Sequence, residues 1–341
     1  KKTESGSVVI DDMLNQEREN LDYSRETNPV ELSKGEHSEL YNFVAEITKG
    51  RFSIITKAFV KELGSSMACK AALTETEDES GIKNEYEIMK TLCHERIVQL
   101  TAASRGTFLF VLAMEKLSGI DVLTYLSLQN YYSEELVAKI ILQVINALEY
   151  LHYRGICYIE LQPDNIVMVN QRTPDIKLVD FGNARYVPAT GAKVYVKGNN
   201  EYLAPEVIKN EEVSTAADVW GLAVITYILL SGVSPFRGES EAETIENVTF
   251  VRYHFDRLYP GITQEATRFL MLIFKRTPEK RPTLVECDDH KWLMPNEFML
   301  KKRENAVFSA EKLSEFADKF HSEKQASTNP KLLTVSGMNL T

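Results

Sequence analysis

The stretch that most constrains the fold is Val219–Leu230, a run of apolar residues with few polar side chains, closed off by Gly232 and Pro235. A helix that is apolar all round has to be enclosed on every side. A bilayer would serve, but it asks for about 20 residues, and this run is too short. The segment therefore predicts the buried central helix of a helical lobe. Upstream, Ser133 is placed to cap a helix in which Val137, Ile140, Ile141, Val144, Leu148 and Leu151 recur at helical spacing, ended by Gly155.

The chain has 341 residues, 44% of them apolar, enough for two domains or one large bilobal one. Its formal charge of −10 argues against nucleic acid as a partner, because displacing counterions from phosphates needs a basic face. The polar N-terminus is not a signal peptide, and no apolar run is long enough to span a bilayer, so no membrane partner is expected. Cys69, Cys93, Cys157 and Cys287 form no paired spacing, which fits reduced thiols in a cytoplasmic protein. Residues 1–38 are polar and charge-mixed and read as a linker; the start at Lys1 rather than Met reads as a piece of a longer, multidomain chain.

From Tyr41 the pattern changes to strands. Tyr41–Ile47, Phe52–Val60 and Met67–Ala72 are rich in alternating and β-branched residues separated by Gly-containing turns, which predicts an antiparallel sheet. A helix over about Gly81–Leu92 interrupts it, and Val98–Leu100 and Phe108–Leu112 bring the count to five strands. At the other end, Leu313, Phe316, Ala317 and Phe320 recur at i, i+3, i+4 and i+7, predicting a helix over about Ala310–Lys324 with one apolar stripe. That stripe is expected to dock on the body of the domain, with a partner protein as the alternative. The basic run Lys301–Arg303 before it is expected to be solvated.

Between these parts lies Tyr158-Ile159-Glu160-Leu161-Gln162-Pro163-Asp164-Asn165, followed by Asp180-Phe181-Gly182. The pair resembles the catalytic loop and metal-binding motif of protein kinases. Lys70 in Met67-Ala68-Cys69-Lys70 matches the strand lysine that reaches nucleotide phosphates, and Glu85 the helix glutamate that pairs with it. Asn165 and Asp180 match the two metal-holding positions. Ala204-Pro205-Glu206 with Arg281 matches the pair that ties down the activation segment, and Asp218 the residue that braces the catalytic loop.

The resemblance covers roughly residues 41–295. It implies an α+β bilobal fold: an N-lobe over 39–115, a mainly helical C-lobe over 116–295, and a helical, regulatory-like tail over 296–341. The form of the activation segment, the run Tyr227–Phe236 and the tail make the chain similar to the kinase domains of the titin, twitchin and obscurin group, obscurin being the preferred likeness. That likeness implies a sarcomeric or cytoskeletal setting, and a tail that blocks the nucleotide or substrate cleft.

The departures fall where phosphate and substrate would meet the protein. Of the phosphate-covering glycine loop only Gly50 remains, in Thr48-Lys49-Gly50-Arg51-Phe52-Ser53, which should weaken nucleotide affinity. Glu160 stands at the position of the catalytic Asp, its carboxylate about 1 Å further out, and a misplacement of that order can cost ~10²-fold. Gln162 replaces a lysine that meets the transferring phosphoryl, a loss of about 3–4 kcal/mol of electrostatic stabilisation. Ile159 cannot pair with a phosphate on the activation segment, and Asn199 stands where a threonine is usual, so Tyr186, Thr190 and Tyr195 are expected to be ordinary loop residues. Asp164 is not expected to act as a substitute base.

Three readings follow. The chain is a pseudokinase scaffold that binds other proteins through its surface and tail and needs no cofactor, a weak Ser/Thr kinase regulated by the tail, or a switch that binds Mg-ATP without transferring phosphate.

Overall fold

In the computed structural model of this chain, residues 29–35, 37–49, 53–74, 77–196 and 198–327 are described. The N-terminal part is a sheet whose strands are β1 Leu32–Lys34, β2 Tyr41–Lys49, β3 Ile54–Val60, β4 Ser65–Leu73, β5 Leu100–Arg105 and β6 Leu109–Met114, in the order β1-β5-β6-β4-β3-β2. Helix α1, Glu77–Met89, packs on one face. The two faces follow the period of the pleat. Phe110, Leu112 and Met114 join the main core with Ile82, Tyr86 and Met89 of α1. Leu109, Val111 and Ala113 form a smaller cluster on the other face with Tyr41, Ala58 and Val60.

The bilobal α+β architecture is as expected, with five antiparallel strands and α1, to which a single helical turn, His37–Leu40, is added ahead of β2. A sixth strand comes from the segment read as linker: β1 lies parallel to β5, pairing Leu32 with Ala103 and Lys34 with Arg105. Its three residues are too few to show an alternating pattern, so the sequence hid it. Residues 1–28 of that segment lie outside the described residues. Strand β5 begins where Val98–Leu100 was expected to end, and α1 starts and stops earlier than Gly81–Leu92.

The C-terminal lobe holds α2 Val122–Ser127, a short strand β7 Tyr131–Ser133, α3 Glu134–Tyr153 and α4 Ala216–Leu229. The Ser133 hydroxyl accepts the Leu136 N–H at 3.2 Å, the expected cap. Every residue of α4 from Ala217 to Leu229 is buried, as an all-apolar helix requires. It packs against α3 and the helix Gln264–Ile273. Among the described residues no helix is long and apolar enough to cross a membrane.

Past the C-lobe come α5 Glu297–Asn305, β8 Val307–Ser309 and α6 Glu311–Ser327. Strand β8 pairs antiparallel with β7, and α6 lies along α2. Leu313 is 0% exposed and Phe316 and Phe320 8% each, so the stripe is seated on the domain. The basic run differs from expectation. Lys301 and Lys302 are exposed, but Arg303 is buried, with its guanidinium on Glu135 at 2.7 Å and on the Trp292 carbonyl. A buried carboxylate at the start of α3 needs such a partner, and the sequence does not show that Glu135 is buried.

Candidate active site

Strand β4 and helix α1 bring Lys70 and Glu85 together at 2.7 Å, and Lys70 also meets Asp180 Oδ1 at 2.8 Å. Burial works against charge on Lys70, yet the Asp180 and Glu85 carboxylates outweigh it and raise its pKa. Burial raises Glu85 despite the lysine. For Asp180, burial opposes ionisation, but Lys70 and the Gly182 N–H hold its carboxyl below the usual carboxylate range. The Glu85 carboxylate also accepts the Phe181 N–H at 3.1 Å, so one helix residue positions both the lysine and the segment carrying Asp180.

The catalytic loop hangs from Asp218 at the start of α4. Its carboxylate accepts the Ile159 N–H at 2.6 Å and the Tyr158 N–H at 2.9 Å, and meets His152 Nε2 at 2.7 Å. Ile159 has φ +73°, a left-handed conformation that a β-branched side chain adopts only under constraint. Tyr158 stands at the first position of the loop motif. Its hydroxyl donates to the Val179 carbonyl and its ring meets Phe181 edge-on, tying the loop to the Asp180 segment. Behind the site, Arg281 grips Glu206 through two bonds of 2.6 and 2.8 Å with both side chains buried.

The Glu160 carboxylate has both oxygens engaged. Oε2 accepts from Asn183 Nδ2 at 2.5 Å and Oε1 from the Asn199 N–H at 3.0 Å. Burial raises its pKa, with these two donors opposing. The fit depends on Gly198, where a Cβ would stand 2.6 Å from Oε1. Asn165 donates to the Glu160 carbonyl at 3.1 Å, and its own carbonyl accepts the Val179 N–H. Gln162 caps the turn Pro163–Asn165 with its backbone alone. Gly50 and its two successors lie outside the described residues.

Several residues at the site escaped the sequence reading. Lys324, on α6, ion-pairs with Asp164 and lies within electrostatic reach of Glu160 and Asp121. His321 Nε2 meets Asp121 Oδ2 at 3.0 Å, while the other Asp121 oxygen caps α2. Phe320 meets the Tyr202 ring edge-on, and Glu323 takes the Arg237 guanidinium at 2.5 Å. One signal was available, since Lys324 is four residues past Phe320 and continues the stripe through 313, 316 and 320. Asn183 and Gly198 carried no such sign. Among the activation-segment residues expected to be ordinary, Tyr186 is exposed and its hydroxyl lies 3.3 Å from that of Thr91.

Asp180 offers an oxygen donor beside Lys70, and Asn165 lies on the adjoining loop, its backbone carbonyl bonded to Val179 next to Asp180. A hard cation held by one or two protein groups together with phosphate oxygens needs no larger set. Among the described residues no cluster of three or more acidic, His or Cys side chains could hold a metal without such help. The residues present therefore fit a metal-nucleotide.

Comparison with known proteins agrees with this geometry. Residues 41–293 match the model of the protein kinase domain. "Striated muscle preferentially expressed protein kinase" of Danio rerio is 34% identical over 288 residues, 84% of this chain and 10% of that protein. The smooth-muscle myosin light chain kinase of Gallus gallus is 33% identical over 260 residues, 75% of this chain and 14% of that protein. The chain thus spans only about a tenth of such relatives. Among solved structures, the twitchin kinase region of C. elegans superposes with a TM-score of 0.80 at 27% identity, over 87% of this chain and 53% of that one. The autoinhibited serine kinase domain of titin gives 0.74 at 27% identity, over 83% and 88%. With the lobes, the Lys70–Glu85–Asp180 arrangement and the matched span all in agreement, this chain belongs to the protein kinase family.

Proposed function

We propose that this chain is a catalytically impaired kinase domain that serves as a protein-interaction scaffold within a large sarcomeric or cytoskeletal protein of the titin, twitchin and obscurin kind. The observation that carries the reading is the state of Glu160. The carboxylate at the base position is committed to Asn183 and to the Asn199 N–H, wedged against Gly198, and faced by the tail lysine. A general base must reach the proton that it abstracts, and this one is turned toward the activation segment. Gln162 adds no positive charge where a phosphoryl group would need it. The muscle-named relatives support the setting, and the seated tail offers a surface that other proteins can compete for.

The test is incorporation of labelled phosphate into a generic basic protein. None above background is expected. Incorporation that disappears in Asp180→Ala would replace the scaffold with a weak Ser/Thr kinase.

A second reading, nucleotide binding without transfer, is favoured by the Lys70–Glu85 and Lys70–Asp180 pairs. When bound, Mg-ATP would supply a phosphate chain and its cation. Lys70 would face the phosphates, and Asp180 and Asn165 would hold the metal.

A further inference from the structure

Glu160 meets the activation segment at two places far apart in the chain. Asn183 stands just after Asp180-Phe181-Gly182, and its Nδ2 donates to Oε2 at 2.5 Å. Asn199 stands near the other end, ahead of Ala204-Pro205-Glu206, and its N–H donates to Oε1 at 3.0 Å. A carboxylate is an acceptor with two oxygens, so one side chain can hold both donors. The backbone that bears it is fixed on either side: the Ile159 N–H is held by Asp218, and the Glu160 carbonyl accepts from Asn165. Gly198 leaves the space that Oε1 occupies. The turn that follows is built on Asn199, whose side-chain carbonyl accepts the Glu201 N–H and whose backbone carbonyl accepts the Tyr202 N–H, each at 3.0 Å. A phosphate on this segment would find no arginine at Ile159 to hold it.

We propose that Glu160 is a positioning residue, a clasp that joins the two ends of the activation segment through one carboxylate and holds the segment in a single arrangement without a phosphate. This goes beyond the loss of a base by giving the side chain a task. The task also accounts for its length. From the same fixed backbone an aspartate carboxylate stops one methylene short, and it gives up one of the two donors.

The experiment is hydrogen exchange on the full chain, followed over residues 198–203 and over α4 as the reference for the fold. It compares the native sequence with Glu160→Asp, Glu160→Gln and Asn183→Ala, and incorporation of labelled phosphate is measured alongside. Exchange over 198–203 should rise about tenfold in Glu160→Asp, from the loss of one charge-assisted hydrogen bond, with α4 unchanged. Glu160→Gln keeps the reach and an acceptor oxygen and should stay close to native. Asn183→Ala should also speed exchange over 198–203, at the other end of the segment, because the carboxylate that Asn183 steadies is then free to turn. Native protection of 198–203 in Asn183→Ala overturns the clasp, even where Glu160→Asp loosens the whole fold. A larger loosening in Glu160→Gln than in Glu160→Asp also overturns it, since charge and not reach would then be the cause. Phosphate incorporation by the native chain is a separate result, which removes the impaired-kinase reading and leaves the clasp to be decided by exchange.

Discussion

Asp218 carries the backbone of Ile159: its Oδ1 accepts the Ile159 N–H at 2.6 Å while Ile159 sits at φ +73°. The carboxylate is fully buried and also holds Tyr158 and His152. The loop's unusual backbone is therefore maintained from α4, and not by any preference of isoleucine.

Asp218→Ala should lower stability by about 3–5 kcal/mol in denaturant unfolding, because two buried N–H groups lose their acceptor. Asp218→Asn keeps one acceptor and should lose roughly half of that. A loss below about 1 kcal/mol for the alanine variant would mean that the loop holds itself.

The Glu206–Arg281 pair should behave similarly at the other side of the lobe. Arg281→Ala leaves a buried carboxylate alone and also abandons the Lys275 and Ala216 carbonyls. A cost of about 3–5 kcal/mol is expected in the same assay.

Gly198→Ala should displace the Glu160 carboxylate, since the new methyl would stand 2.6 Å from its oxygen. The expected cost is about 1–3 kcal/mol, from hydrogen bonds lost to Asn199 and Asn183. In Glu160→Ala the clash is gone, so the two changes should be strongly non-additive in a double-mutant cycle. Simple additivity would place the strain elsewhere.

Tail docking should weaken as pH rises. Asp121 raises the His321 pKa above its usual 6.5, through the hydrogen bond first, opposed by burial and aided by Asp318. Protonation is thus favoured when docked. The contribution is complete below the undocked value and is lost as pH climbs through the docked one. Hydrogen-exchange protection of α6 should fall over that window, and His321→Gln should flatten the change.

Truncation before α6 and truncation before α5 should differ. The first uncovers the seats of Leu313, Phe316 and Phe320 and should increase binding of an apolar dye. The second also strips Arg303 from Glu135, leaving only the longer Lys139 pair at 3.4 Å, and should lower the melting temperature further.

The lobes were readable because they rest on periodicity: the α4 run, the α3 spacing and the strand alternation are local patterns. Lys70, Glu85, Asn165 and Asp180 were readable because kinase motifs fix them in order along the chain. What stayed hidden depends on chain segments meeting over long separations. No local pattern shows that Arg303 answers Glu135, that Asn183 holds Glu160, or that Lys324 meets a loop some 160 residues earlier. Strand β1 was hidden for a different reason, being too short to have a period.

That short strand has one more neighbour. The residue Val30, just ahead of it, accepts the Tyr86 hydroxyl at 2.8 Å, and Tyr86 adjoins Glu85 in α1. The chain's entry into the sheet is thus fastened one residue from the carboxylate that grips Lys70. The stretch that leads into β1 and the helix that carries Glu85 are thus joined by a side chain as well as through the sheet.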